Sequence, residues 1–336
     1  MRVLLSIPTT APASTQFPSA FEGVGREASL SWRFAKLCPW SRTVSEHLAR
    51  VYLALVLFAR RRHYDAVVTG RYGEYFAILQ ALWPFGRKPH LLLDVEWYSN
   101  PSGKSALVSG WLHRLIAFAS RRIQVFCRVE ADRYSSHFGI PAEKFVWIPY
   151  CADLATPATE SRDGGYIFTG GSHHRDYETL FGAVADLPVK VLVAAPHDAL
   201  AGLKVPANVQ MVGPVQPEEY WRLIRDSALV VLSLDPDVRR CPGIITYVKA
   251  MQMGKCVVVN EPLGAPDYID HGHTGFIVPA RDPARLRQCL QALFEDRART
   301  IAIGVEARRE SCLRHGPQAY VSALERAVEA LTGRDS

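Results

Sequence analysis

The stretch Gly243–Pro279 reads GIITYVKAMQMGKCVVVNEPLGAPDYIDHGHTGFIVP. Its middle, KAMQMGKCVVV, has the build of a helix, a glycine stop and a buried strand. Pro242 and Gly243 suit a helix start, and Gly254 suits its C-terminal stop. Such a start offers unpaired N–H groups, here across Gly243, Ile244, Ile245 and Thr246, at the positive end of the helix dipole. A diphosphate placed there needs few side chains, and Gly243 lets it approach the backbone closely. An ordinary αβ unit without a ligand accounts for the same residues.

The same alternation runs outward in both directions. Upstream, Val3–Ile7, Ala66–Thr69, His90–Val95, Ile123–Phe126 and Phe145–Ile148 read as strands. Ser45–Arg62, Gly73–Leu82, Ser105–Arg121 and Ala131–Phe138 read as helices between them. After Thr156–Gly165, a stretch of small and polar residues that reads as a linker, the pattern restarts. Tyr166–Thr169, Val189–Ala194, Val209–Val212, Leu229–Leu234, Cys256–Asn260 and Phe276–Val278 are strand candidates. Arg175–Ala185, Pro217–Ser227, Ile244–Met253, Pro283–Phe294 and Pro317–Leu331 are helix candidates. Repeated β/α alternation predicts an α/β fold of two Rossmann-like, doubly wound parallel sheets facing a cleft, with ligands at the carboxyl ends of the strands. The expected segments are 1–155, a linker 156–165, a nucleotide-binding half 166–312, and a C-terminal helix and tail 313–336.

The bulk numbers agree with this class. The chain has 336 residues, 48% hydrophobic and 21% charged, with net charge +6. That charge is too weak to argue for nucleic acid, but it is compatible with anionic ligands or an anionic membrane surface. The seven cysteines contain no Cys-x-x-Cys pair, which disfavours a disulfide framework or structural zinc and fits a reducing cytoplasm. The start, MRVLLSIPTTAPAS, is too short in apolar core for a signal peptide and reads as a first buried strand. Val51–Ala59, VYLALVLFA, lies between Arg50 and Arg60–Arg62 and reads as the apolar part of a core helix. Peripheral contact with the inner face of a membrane is the sharper reading of the same stretch.

Three other places carry candidate chemistry. In Tyr166–Val184, YIFTGGSHHRDYETLFGAV, strand, Gly-Gly turn and helix follow in order. Gly170, Gly171 and Ser172 form the turn, Arg175 stands where it can point at a phosphate, and Asp176 can cap the helix. His173 and His174 lack a third ligand, so no metal is expected there. In NVQMVGPVQPEEYWRLI, backbone groups near Gly213 and Val215 are placed to face a base. In LLLDVEWYSN, Asp94 and Glu96 lie two apart, so a strand would point both to one face, where either is a candidate base. Trp97 and Tyr98 beside them suit stacking on a sugar. The segment Pro8–Glu27 reads as a long loop able to close over an acceptor.

Taken together, these segments resemble the retaining GT-B glycosyltransferases of family 4, also called glycosyltransferase group 1. The similarity covers most of the chain and is strongest from about Arg121. TGGSHHRDYETLFGAV resembles the family's phosphate loop, with Arg175 where a phosphate-binding Lys is usual. VGPV resembles the base-binding turn, and KAMQMGKCVVV with APDYIDHGHTGFIVPARD resembles the most recognisable stretch. The resemblance implies transfer of a sugar from a UDP- or GDP-sugar to an acceptor hydroxyl, with retention. It implies no permanent cofactor and no metal, and a C-terminal helix that packs back toward the first domain. The acceptor is a glycan, a lipid-linked sugar or a small molecule. For Asp94 and Glu96 the resemblance implies a role as acceptor-side base or sugar ligand.

The departures are pointed. The family commonly carries two glutamates eight positions apart, one on the donor sugar and one on the ribose. Cys241 and Lys249 stand there instead. Lys249 replaces an acceptor by a donor, though ribose oxygens also accept. Asp235 or Asp237 is a candidate replacement carboxylate. A second Arg usual in the phosphate loop is replaced by Gly171 and Ser172. Two other readings stay open: a non-catalytic relative that binds a partner, and an epimerase of nucleotide sugars on the same fold.

Overall fold

Runs such as Val3–Ile7 and Val257–Asn260 are apolar on both faces, which suits strands covered from both sides. The computed structural model describes residues 1–7, 15–26, 42–83, 85–95, 97, 104–152, 162–238, 241–260 and 263–333. The strands are β1 (Val3–Ile7), β2 (Phe21–Arg26), β3 (Ala66–Thr69), β4 (His90–Leu92), β5 (Arg122–Val125), β6 (Phe145–Trp147), β7 (Tyr166–Gly170), β8 (Lys190–Ala194), β9 (Val209–Met211), β10 (Leu229–Leu232), β11 (Val257–Asn260) and β12 (Phe276–Val278). The helices are α1 (Arg42–Arg60), α2 (Gly73–Leu82), α3 (Lys104–Ala119), α4 (Arg128–Phe138), α5 (Tyr177–Val184), α6 (Pro217–Arg225), α7 (Ile244–Gln252), α8 (Pro283–Glu295), α9 (Arg297–His315) and α10 (Pro317–Thr332).

The chain divides into unit 1, Met1–Cys151 with Pro317–Ser336, and unit 2, Ala152–Gly316. Each holds one six-stranded sheet, ordered β2-β1-β3-β4-β5-β6 in unit 1 and β12-β11-β10-β7-β8-β9 in unit 2. All strand pairs are parallel. Parallel strands need crossovers, and α-helices supply most of them; β8 to β9 and β11 to β12 are joined through short 3-10 turns.

Alternation along the strands sorts the cores. In unit 1, Val3, Leu5, Val68 and Leu91 point to the face covered by Tyr320, Leu324, Val328 and Leu331 of α10. Leu4 and Val67 point the other way, against Leu53 and Leu57 of α1 and Phe76 of α2. In unit 2, Ile167, Val193, Val231 and Val258 are covered by Leu180 and Val184 of α5 and Leu286 and Leu290 of α8. Helix α7 ends as its sequence demands: Gly254 takes a φ of 76°. The N–H groups of Gly254 and Lys255 donate to Met251 and Ala250 carbonyls, at 2.9 and 3.0 Å. These are the two bonds of a Schellman stop.

Four expectations are corrected. Pro8–Glu27 is not a structureless loop: Phe21–Arg26 forms β2 beside β1, while 8–14 and 27 lie outside the described residues. The strand expected over His90–Val95 ends at Leu92, because Asp94 turns the chain with a φ of 55°. The alternation argument placing Asp94 and Glu96 on one face therefore fails, and Glu96 and Tyr98 lie outside the described residues. Trp97 is not a stacking platform. It is 3% exposed, packed with Tyr134, Phe138 and Phe145, and its Nε1 donates to Glu74 at 2.7 Å. Finally, Arg297–His315 is a helix of 19 residues that the apolar pattern did not announce.

Candidate functional site

In unit 2 the strand order reverses between β7 and β10, so a crevice opens beyond their carboxyl ends. Three segments arrive there. The first is the turn after β7, which the chain stitches across the switch point. Arg175 bridges to Leu234, the Asp176 N–H donates to the Ser233 carbonyl, and the Asp235 N–H donates to the His174 carbonyl at 3.0 and 3.2 Å. Asp176 then caps α5 by accepting from the Thr179 N–H at 3.0 Å. The helix begins at Tyr177 rather than Arg175. Arg175 is thereby freed from the helix and folds over the turn.

Its Nε donates to the Gly170 carbonyl at 2.9 Å and its Nη1 to the His173 carbonyl at 3.0 Å. The guanidinium lies so close over Gly171 that an added Cβ would stand 2.5 Å from Nη2. Burial pushes the Arg175 pKa down, and the hydroxyls of Tyr220 and Tyr177 oppose that. No hydrogen bond of Nη2 is seen among the described residues, which leaves this edge of the fork able to meet an anion. Gly171 has a φ of 111°, a conformation open to glycine, and its carbonyl accepts from the Tyr177 hydroxyl at 2.6 Å. Gly171→Ala is expected to strain the turn and push Arg175 aside. A stability loss of about 1–3 kcal/mol in denaturant titration is the predicted result. An unchanged midpoint would show that the turn does not need glycine.

The second segment is the start of α7. Gly243 has a φ of 71°, and no side chain caps the helix. An added Cβ at Gly243 would stand 3.1 Å from Leu234, so glycine allows α7 to begin hard against the end of β10. Ile244 and Thr246 are buried and Ile245 is exposed. The Thr246 N–H already donates to the Gly243 carbonyl at 2.9 Å, so among the described residues the Ile244 and Ile245 N–H groups are the first-turn donors left for an anion.

The third segment was missed by sequence reasoning: Tyr220 of α6. An added Cβ on Gly170 would stand 2.7 Å from its ring, and its hydroxyl lies 3.3 Å from Thr246 Oγ1. Tyr220 therefore joins the Gly-Gly turn to the start of α7. Tyr220 shares a helix face with the buried Leu223 and Ile224, so the sequence marks it as a packing residue and gives no signal of a place at the site. Lys249, one turn beyond Thr246, places Nζ 4.4 Å from the Trp221 ring centre. Cys241 is buried, with Sγ 3.0 Å from the Tyr247 hydroxyl. Gly213, with a φ of 72°, and the half-buried Val215 lie in the connection from β9 to α6. Ser172 is exposed beside the turn. Asp235 lines a cavity with Arg175 and Arg281; its Oδ1 accepts from the Asp237 N–H at 3.0 Å and lies 3.7 Å from Arg281, which also pairs with Asp237. The two aspartates are thus committed to Arg281.

In unit 1, Asp94 is buried at the carboxyl end of β4. The Gln124 Oε1 accepts from its N–H at 3.0 Å, and Gln124 Nε2 donates to the Ile148 carbonyl at 2.8 Å. Burial, Cys151 and the Asp94 carboxylate together push the Tyr150 hydroxyl up. Gln124 thus holds the left-handed turn that aims Asp94.

Residues 176–296 match the family profile described as glycosyl transferases group 1. A D-inositol 3-phosphate glycosyltransferase of Corynebacterium kroppenstedtii is 28% identical over 146 residues, 41% of this chain and 32% of that protein. The chain therefore matches about a third of that relative's length. HepE of Anabaena, solved in complex with UDP, superposes with a TM-score of 0.62 at 16% identity, covering 98% of this chain and 100% of that one. Sucrose-phosphate synthase of Thermosynechococcus elongatus gives 0.62 at 15% identity, covering 99% and 89%. TarM gives 0.64 at 14% identity, covering 84% and 57%. The two parallel sheets, the switch-point crevice and these likenesses give the chain the two-domain Rossmann-like GT-B fold, and residues 176–296 of its second unit are similar to the group 1 glycosyl transferases.

Proposed function

We propose that the protein transfers a sugar from a nucleoside diphosphate sugar, UDP- or GDP-linked, to an acceptor hydroxyl. The observation that carries this is the convergence of the Gly170–Gly171 turn, the Arg175 fork and the uncapped start of α7 at the switch point. Gly170, Gly171, Ser172 and Arg175 hold the diphosphate with Gly243, Ile244, Ile245 and Thr246. Gly213 and Val215 face the base. Lys249 faces the ribose or a phosphate. As the glycosidic bond to the leaving phosphate breaks, Arg175 and the helix dipole stabilise the charge that develops, without a metal. Transfer proceeds with retention, as in the family it resembles. The acceptor is a glycan, a lipid-linked sugar or a small molecule, and Asp94, with Glu96, receives its proton.

Thermal unfolding with UDP, GDP, ADP, CMP and dTDP tests the donor half. A diphosphate at about 100 times its Kd adds about 2.7 kcal/mol, several degrees for a domain of this size. One of them is expected to stabilise the wild type and to lose that effect in Arg175→Ala. If no nucleotide raises the Tm at millimolar concentration, the site is not a donor site. Asp94→Asn separates the two halves: it is expected to keep the nucleotide shift and lose turnover.

A second reading, a binding partner without catalysis, is favoured by one observation. Lys249 stands in place of a ribose-binding carboxylate and is drawn onto Trp221. Nucleotide stabilisation without turnover on any acceptor would favour it.

A further inference from the structure

The amino ends of β3, β4, β5 and β6 share one edge of the unit 1 sheet, since all four strands are parallel. Helices α1, α2 and α3 end at that edge. There the loop after α2 turns large side chains outward: Leu82 is 70% exposed, Trp83 58% and Phe85 74%, with Phe118 of α3 at 65%. Two arginines hold backbone carbonyls on either side of these side chains. Arg61 Nη2 donates to the Phe85 carbonyl at 3.1 Å, and Arg87 Nε donates to the Gln80 carbonyl at 2.6 Å. The Arg87 guanidinium also lies 4.8 Å from the Phe118 ring centre, and the Trp83 and Phe85 rings are 6.0 Å apart.

The charge beside them is mostly positive. Arg61, Arg62, Arg87, Lys88, Arg121 and Arg122 stand in or beside the turns that lead into β3, β4 and β5. Residues 82–90 and 118–123 hold no acid. Among the described residues the acids near this edge include Asp65, whose carboxylate accepts from the Arg2 N–H at 2.8 Å, Glu143, and Glu22, which pairs with Arg60 and Arg2. Lys144 is held below its usual pKa by burial and by Arg121 and Arg122, a sign of how closely the cations crowd. Along α1, Leu55 at 53% continues the apolar surface, while Leu53 and Leu57 are buried. Val51–Ala59 is therefore half core and half surface.

We propose that this edge of unit 1 docks on an anionic lipid bilayer, with Trp83, Phe85 and Phe118 at the interface and Arg62, Lys88 and Arg121 facing the headgroups. Aromatic rings settle at the headgroup level, and cations beside them gain from the negative surface potential. A bilayer fits this chemistry better than a protein partner. It needs no pocket, and it is anionic over its whole plane, whereas a protein would have to match this edge with acids at each cation. The exposed rings need no partner for folding, so their replacement leaves the core intact.

Flotation with vesicles tests this. The wild type is expected to float with equimolar phosphatidylcholine and phosphatidylglycerol, not with phosphatidylcholine alone, and to be released by high salt. Trp83→Ser with Phe85→Ser is expected to cut the partition coefficient at least about tenfold, with an unchanged Tm. Equal flotation of wild type and double variant overturns the proposal, as does failure of the wild type to bind anionic vesicles. So does a concentration-dependent dimer that the double variant abolishes, because a second copy then covers the edge.

Discussion

Gly304→Ala is expected to destabilise unit 2 by about 2–3 kcal/mol, although alanine is the better helix former by about 1 kcal/mol. Helix α9 crosses α7 at this residue. An added Cβ would fall well inside contact distance of the Gly254 carbonyl oxygen and 3.2 Å from the Cys256 nitrogen. Both are backbone atoms and cannot rotate away, so the helix has to lift. Gly254 closes α7 and Cys256 leads into β11, so the lift is felt at both. For a domain of this size the Tm falls by about 5–10 °C. Calorimetry of wild type and variant reads it directly. An unchanged or raised Tm would mean that α9 does not seat on Gly254.

The second large effect is acid sensitivity in both units. His90 is buried between Thr69 Oγ1 at 2.8 Å and Ser120 Oγ at 3.1 Å, and burial lowers its pKa to about 3. His315 is buried against Tyr268, with no hydrogen-bond partner for either ring nitrogen among the described residues, and its pKa is lowered to about 4. Below the unfolded value of 6.5 the unfolded chain binds protons that the folded protein refuses. Stability is therefore intact above that pH and is lost as pH falls toward 4 and 3. At pH 5 the loss is about 2 kcal/mol for each histidine. Denaturant titrations at pH 7 and pH 5 should show it. His315→Leu is expected to remove the share of unit 2 and to leave that of unit 1. This window lies above that of the paired carboxylates Asp163 and Asp226, whose pKa values are lowered from 3.8. A loss confined to pH below about 4 would therefore implicate those carboxylates instead.

What was legible in the sequence follows from where physical information is local. The apolar strands and the glycines at 171, 243 and 254 declare themselves, because their neighbours along the chain define the turn. Helix α9 did not: its buried stripe is Thr300, Ile303, Gly304, Ala307, Ser311 and His315, in which Ile303 is the one large apolar side chain. Strand β2 hid behind two glycines, Gly23 and Gly25, which weaken any strand pattern. Trp97 looked like a platform because Tyr134, Phe138 and Phe145, which bury it, lie far along the chain. The site divides in the same way. The turn, Arg175 and the α7 start were readable; Tyr220, which joins them, and the ion cluster that takes up Asp235 required the fold.

Helix α10 is the last described element of the chain, yet it covers the face of β1 and β3, which come first. During synthesis, unit 2 has its whole sequence outside the ribosome before unit 1 does. The earlier-made strands must wait, with Val3, Leu5 and Val68 uncovered, until Tyr320, Leu324 and Val328 emerge. The half of the protein that is translated first is thus the half that finishes folding last, and in the interval its bare sheet face is where a chaperone would bind.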